Sequence, residues 1–285
     1  MAAQETQVGD LPEACLAYAI SLTSPSDACR CAVVSPFFRA AADSDHVWQR
    51  FIPKDLEAVL QSLPLAKTAR KKDAYIGLCD DVFPVDGDSR CRVWLEKASG
   101  AKCYALSARR LSLPWDDGEF SWRWTPHPLS RFAEVAELVD CTSLESNGQL
   151  RAAALTPSTA YAAYLVYGTA EGHRGLSYPD QETTVRWPWA AACWSAIACA
   201  SAPTTPRRKS SEVPAGLIAG RSVVPDEPRR PRRRCDGWWE MEMGRLRKTN
   251  TSGEKEDVVA SFEVLGWYLK RGLVIEGIEF RPVHN

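Results

Sequence analysis

The sequence predicts an α+β chain in unequal parts: a small all-α helical module, then an all-β sandwich broken by a long insertion. Three observations carry this. Helix-start signals recur at short intervals between Leu11 and Pro53. From residue 74 on, short apolar runs rich in β-branched and aromatic residues are separated by Gly, Pro and Asp turns, as in a sandwich or barrel. Residues 187–234 hold no period at all.

The first nine residues read as a disordered tail. Asp10-Leu11-Pro12-Glu13 combines an acceptor side chain, a proline near the first turn and a glutamate three positions on, which together start a helix. Leu16, Ala19 and Ile20 follow at helical spacing. Ser24-Pro25-Ser26-Asp27 repeats the signal ahead of Ala28, Cys31, Ala32 and Val34, and Ser35-Pro36 opens a third element with Phe37, Phe38 and Ala41. A fourth, after Asp43-Ser44-Asp45, carries Val47, Trp48, Phe51 and Ile52, and Pro53 ends the series. A core this small is marginal on its own. The module (10–53) therefore completes itself either on a partner or on the rest of its chain. Residues 54–73, polar with Leu56, Val59 and Leu60 on one face, read as a linker or a short bracing helix.

In the region 74–285, Arg92–Glu96 and Lys102–Leu106 read as strands joined by the hairpin turn Lys97–Ala101. Phe132–Val139 is a less regular run, Tyr161–Tyr167 is a buried strand, and Trp238–Met243 alternates with Trp239, Met241 and Met243 on one side. Val258–Val264 and Leu273–Phe280 close the chain with two more strands. Residues 187–234 run from small residues through Pro, Ser and Thr to arginines, and read as a long disordered insertion or an unspliced stretch.

Composition narrows the function. A formal net charge of −1 gives no global field toward nucleic acid or membrane. No apolar run approaches the ~20 residues that span a bilayer. The ten cysteines form no C-x-x-C pair and have no histidine at metal spacing, so reduced thiols in a reducing compartment are expected. Eleven tryptophans suit a β-rich core or a ring-binding site. No nucleophile elbow, phosphate loop, dinucleotide fingerprint or zinc motif is present, so neither catalytic residues nor cofactor nor metal is expected. Glu240 and Glu242 alternate with Trp and Met and read as a solvated face rather than as glycosidase acids. Arg229, Arg230, Arg232, Arg233 and Arg234 form a basic cluster, either an import signal or a solvated loop balanced by Asp226 and Glu227.

Two stretches resemble known families. Leu11-Pro12-Glu13, Leu16, Ile20, Ser24-Pro25, Asp27-Ala28, Val34-Ser35, Phe38-Arg39 and Ser44-Asp45 followed by Trp48 resemble the F-box of plant F-box proteins. That resemblance implies docking on a Skp-type adaptor of a cullin-based ubiquitin ligase through Leu11, Pro12, Leu16, Ile20 and Val34. The ubiquitin chemistry would then lie in other subunits, and this chain would be no enzyme. Lys102-Cys103-Tyr104, Leu111-Ser112 with Trp115, Trp122-Arg123-Trp124, Ser130-Arg131-Phe132, Asp236-Gly237-Trp238 and Ile275-Glu276-Gly277-Ile278-Glu279 resemble the phloem protein 2 lectin-like family, over most of 74–186 and 235–285. That implies a jelly-roll-like lectin domain with Trp115, Trp122 and Trp124 as carbohydrate-binding residues. Asp116, Asp117, Glu119 and Arg123 would then contact sugar hydroxyls. The same tryptophans equally suit a sandwich core. Ser143 and Ser146 depart from the family, where Trp and Ile are usual, and would leave a gap and unpaired hydroxyls on a core strand. Together the resemblances imply the substrate-recognition subunit of a cullin (SCF-type) ligase, in the cytoplasm and nucleus, holding a glycan or glycoprotein. Alternatives are a lectin without a ligase role and a receptor that reads protein rather than sugar.

Overall fold

The computed structural model describes residues 11–62, 70–114, 121–176, 181–186, 230–247 and 257–283. Six helices come first: α1 (Glu13–Ser21), α2 (Pro25–Cys31), α3 (Pro36–Ala42), α4 (Asp45–Phe51), α5 (Glu57–Ser62) and α6 (Lys71–Asp80). The serine-proline signals act as the sequence predicts. Ser24 Oγ accepts from the Asp27 amide at 3.1 Å, Ser35 Oγ accepts from the Phe38 amide at 3.2 Å, and Pro25 and Pro36 follow them in the first turn. The first helix starts differently. Pro12 precedes it without a side-chain cap, and Asp10 lies outside the described residues.

The helical module finishes its core on its own chain. Trp48 is buried, donates its indole N–H to Ala42 O at 2.8 Å, and meets the ring of Tyr75 on α6 at 5.2 Å. Tyr75 Oη in turn donates to the carbonyls of Glu96 and Lys97, at 3.2 and 3.1 Å, in the turn between the strands at Asp88–Leu95 and Lys102–Ser107. Burial pushes the Tyr75 hydroxyl well above its usual range, so it stays a neutral donor. Beside it, the Ser26 amide donates to Ala98 O at 3.1 Å, and Lys102 Nζ meets Asp55 at 2.7 Å. One cluster of buried apolar side chains consequently runs from Leu16 through Trp48 and Tyr75 to Tyr104 and Phe280. Helix α6 begins in the stretch read as a linker and continues past residue 74, because Tyr75 and Leu78 form an apolar stripe that both halves share.

The strands are β1 (Phe83–Val85), β2 (Asp88–Leu95), β3 (Lys102–Ser107), β4 (Trp122–Thr125), β5 (Val135–Leu138), β6 (Leu144–Arg151), β7 (Ala160–Arg174), β8 (Gln181–Arg186), β9 (Arg232–Arg233), β10 (Trp239–Arg247), β11 (Asp257–Val264) and β12 (Arg271–Pro282). Among the described residues they form a nine-stranded sheet, ordered β1-β2-β3-β12-β7-β10-β9 with β5 on β12 and β4 on β5, and a three-stranded sheet, β6-β11-β8. Ladder pairings are antiparallel. The two sheets share an apolar interior, with Leu106, Leu165, Met241 and Ile278 from the large one and Leu144, Val258, Ala260 and Phe262 from the small one. The expected all-β sandwich is therefore present. Gly277 makes the closest approach: a Cβ there would run into the carbonyl oxygen of Leu106 on β3, so only glycine fits.

Three sequence expectations change, for Ser143, Glu240 and the insertion, and that for Ser146 holds. Ser143 is exposed and precedes β6, so it leaves no gap in the core. Ser146 is fully buried opposite Phe262, and its hydroxyl has no partner among the described residues; Thr183 on the other side of Phe262 is in the same position. Glu240 is not on a solvated face but 7% exposed, because a layer of arginines covers it. The insertion expected over 187–234 has a different end: 187–229 lie outside the described residues, but Arg232–Arg233 form β9 and Arg234 is mostly buried.

Those arginines meet the face of the large sheet that points away from the sandwich interior. Glu279 takes Arg131, Arg234 (2.9 Å) and Arg281 (3.5 Å). Glu240 takes Arg281 (2.7 Å) and Arg232 (2.9 Å), and Glu276 accepts from the Arg131 amide at 2.8 Å and pairs with its guanidinium at 3.1 Å. Burial alone would raise the Glu279 carboxyl, but the three surrounding arginines outweigh it and hold the group below the usual carboxylate range.

Two predictions follow from this packing. Ser146→Ala removes a buried unpaired hydroxyl and should stabilise the fold by about 1 kcal/mol in denaturant titration; a loss of stability would show that the hydroxyl is satisfied. Glu279→Gln should cost on the order of 3–5 kcal/mol at neutral pH, because three guanidinium groups lose their buried counter-charge. A folded value below the unfolded one means that the Glu279 contribution is complete above about pH 4.3 and fades as pH falls through the lowered value. Acid titration of stability should therefore be shallower in Glu279→Gln than in the wild type.

Candidate binding surfaces

The residues named for adaptor docking divide by burial. Leu16 and Ile20 are 5% and 3% exposed, on the inward face of α1, so they hold the module together and are not free for a partner. Leu11 and Val34 are 43% and 65% exposed, and Pro12 is exposed beside them. The sequence reading passed over Tyr18, Leu22 and Val33, which are exposed as well. Helical period explains the division: Leu16 and Ile20 stand four apart on one stripe of α1, and Tyr18 and Leu22 four apart on another. Val33 and Val34 follow α2 where the backbone turns toward Ser35. Exposed aliphatic and aromatic side chains gathered on one small module are the kind of surface that marks interaction sites in proteins.

The tryptophans named for sugar binding also divide. Trp115, with Asp116, Asp117 and Glu119, lies outside the described residues. Trp122 is 4% exposed and donates its indole N–H to Pro114 O at 2.9 Å, so its ring is core material. Trp124 is half-buried, with the Arg109 guanidinium stacked 3.7 Å from its ring centre. Glu134 fixes that arginine through two hydrogen bonds, at 2.9 and 2.8 Å. Arg123 is exposed and faces Glu137 across the ladder at 3.8 Å. Of the described residues among these, Trp124 alone offers a ring surface near solvent.

A third surface lies at the turn between β11 and β12. Trp267 there is 86% exposed, flanked by the partly exposed Leu265 and Tyr268. The turn is held from within by Lys270, which is fully buried and whose Nζ donates to the carbonyls of Thr142 (2.8 Å), Gly266 (2.5 Å) and Tyr268 (3.3 Å). Just before the turn, Glu263 on β11 stands between Glu145 on β6 and Glu182 on β8 in one cross-strand row. Partial burial, then the two neighbouring carboxylates, push the Glu263 carboxyl above its usual range. The sequence held one sign of this surface: two large aromatic residues in Gly266-Trp267-Tyr268, in a connection where Gly, Asn, Asp, Pro and Ser are the usual turn residues. Among the described residues no group of His, Cys, Asp or Glu is placed to hold a metal ion.

Comparison with known proteins agrees with this architecture. Residues 9–50 match the family model for the F-box domain, and residues 101–282 match that for phloem protein 2. The chain is 32% identical over 282 residues to the putative F-box protein PP2-B8 of Arabidopsis thaliana, covering 98% of this chain and 88% of that protein. It is 34% identical to F-box protein PP2-B10 of the same plant (95% and 92% covered) and 36% identical to putative F-box protein PP2-B2 (97% and 83%). Among solved structures, a Podospora anserina GH26-CBM35 β-(1,4)-mannanase aligns over 64% of this chain and 28% of its own, at a TM-score of 0.33 and 11% identity, too low to inform fold or function. The chain thus belongs to the phloem protein 2 family, in its form with an amino-terminal F-box domain.

Proposed function

We propose that this chain is the substrate-recognition subunit of an SCF-type ubiquitin ligase, with its helical module on a Skp-type adaptor and its sandwich holding the target. The pairing of an F-box domain with a phloem protein 2 domain supports a substrate-recognition role in general. The observation that carries the docking surface is the open apolar set Leu11, Tyr18, Leu22, Val33 and Val34 on a module whose other large apolar side chains are buried or partly buried. Such a surface loses water-exposed area on binding, at about 25 cal/mol per Å². Ubiquitin transfer is assigned to other subunits of the complex. The seating of α2 and α6 on the β2–β3 turn ties the sandwich to the helical module, which supports a subunit that positions a target for modification.

For the target, the family's lectin character supports a glycan or glycoprotein. On this chain, Trp124 with its stacked Arg109 and neighbouring Glu134 is the described group suited to it: an aromatic face beside polar atoms.

Co-purification of the full chain with a Skp-type adaptor tests the first half. Val33→Asp with Val34→Asp should reduce capture by more than ~tenfold while leaving the melting temperature unchanged, because the side chains are exposed. Leu16→Ala should instead lower stability by about 2–4 kcal/mol, as a cavity in the core. Wild-type protein that captures no adaptor would overturn the docking role. A glycan array tests the second half: Trp124→Ala should lose whatever sugar signal the wild type gives, and a retained signal would remove Trp124 from the site.

A further inference from the structure

The turn between β11 and β12 is constructed as a recognition element. Trp267 is 86% exposed and lies between Leu265 and Tyr268, which are 38% and 37% exposed. An indole this open has no part in the core and loses little of its surface to folding. Yet the backbone beneath it is tightly fixed. Lys270 is 0% exposed, and its ammonium group is spent on three carbonyl oxygens from the turn and from Thr142, with the Tyr268 ring centre 4.4 Å away. Gly266 has φ +87°, and a Cβ there would strike the Tyr268 ring. Cys141 and Lys270 exchange both backbone hydrogen bonds, at 3.0 and 2.7 Å, tying the turn to the chain ahead of β6. Burying a lysine is costly unless all its donors are satisfied. Here that cost holds an aromatic residue still in solvent, and preorganised aromatic residues dominate the energetics of protein interfaces.

The ground beside the turn defines the occupant. Glu145, Glu263 and Glu182 lie side by side across β6, β11 and β8, on the solvent face of the small sheet. Like charges directly opposite one another destabilise a sheet. No hydrogen bond or ion pair to these three carboxylates occurs among the described residues. Glu263 stands two residues before Leu265, which follows directly on the end of β11, and both are exposed. The surface therefore offers an apolar finger and an uncompensated negative row as neighbours. Nucleic acid and anionic lipid are repelled by it. A protein segment that carries Lys or Arg next to aliphatic side chains is complementary to both parts.

We propose that the β11–β12 turn and the Glu145–Glu263–Glu182 row form a docking surface for a basic, aliphatic-bearing protein segment. The residues of this surface are other than Trp122 and Trp124. Its meaning as a target site rests on the ligase-receptor reading above, but its binding chemistry does not.

The test uses the full chain co-purified with its adaptor, and fluorescence anisotropy of two short labelled peptides, one alternating Lys with Val and Leu and the other with Glu in place of Lys. The wild type should bind the Lys peptide, more weakly as salt rises, and should not bind the Glu peptide. Trp267→Ala and Glu263→Gln should each weaken binding by about tenfold, and Glu263→Lys should abolish it. Adaptor capture should be unchanged in all three variants, because the altered side chains are exposed, and the melting temperature should not fall; it should rise in Glu263→Gln and Glu263→Lys, which relieve the like-charge row. Equal binding of the two peptides, or Lys-peptide binding that survives both Trp267→Ala and Glu263→Lys, would overturn the proposal. A glycan-array signal of the wild type that Trp267→Ala removes would overturn it in favour of a sugar platform. Loss of adaptor capture by the wild type alone would reject the ligase reading and leave the peptide result standing.

Discussion

Everything in the sandwich is arranged on β12. It pairs with β7 along most of its length and with β3 and β5 on its other side, and the only polar side chains buried along it are glutamates. Its alternation is unusual for a strand buried on both faces. Ile275, Ile278 and Phe280 fill the interior between the sheets, whereas Glu276 and Glu279 are buried on the far side, where hydrocarbon would be expected. Two buried carboxylates on a central strand are tolerable only if cations reach them, so the fold must bring Arg131, Arg234 and Arg281 over that face. The chain ahead of β5, the segment 230–238 and the end of β12 itself are placed by this demand. Glu240 on β10 extends the same layer through Arg232 and Arg281.

The other joint is apolar and equally specific. The helical module has too few residues to close a core, and Tyr75 supplies what is missing: its ring completes the Trp48 and Phe51 cluster, and its hydroxyl locks the assembly to two carbonyls of the β2–β3 turn. This explains how a module of short helices leaves one apolar surface open without collapsing. Its interior is satisfied by the sandwich, so Leu11, Tyr18, Leu22, Val33 and Val34 are not needed for folding and remain available for binding. Packing and exposure are thus divided between different faces of α1, with Leu16 and Ile20 on the packed one and Tyr18 on the open one.

Much of this was legible in the residues. The serine-proline pairs marked the starts of α2 and α3 because a hydroxyl cap and a proline at the first turn act within four residues. The β2–β3 hairpin, β7, β11 and β12 were legible from period and composition, and Ser146 from the family pattern, in which Ile is usual at that place. Other features were not. Ser143 and Ser146 look alike in sequence, yet one precedes the strand and one lies under Phe262. Glu240 and Glu242 alternate with Met and Trp like any surface pair, because nothing local announces that arginines from elsewhere will cover one of them. Trp122 and Trp124 flank the same residue, but one indole is sealed under Pro114 O and the other lies under Arg109.

The sequence by itself determined the element types, the order of the two halves and the family to which each belongs, since these depend on local propensity, turn chemistry and patterns spread along the chain. The tertiary structure alone decided which side of each element is covered. A period of 2 or 3.6 identifies two faces without saying which of them a third layer will cover, and that depends on contacts between residues far apart in sequence, such as Arg131 with Glu279 and Tyr75 with Glu96. The same holds for Trp267: its exposure is set by Lys270 turning inward to the carbonyls of Thr142 and Gly266, an arrangement that the folded turn creates.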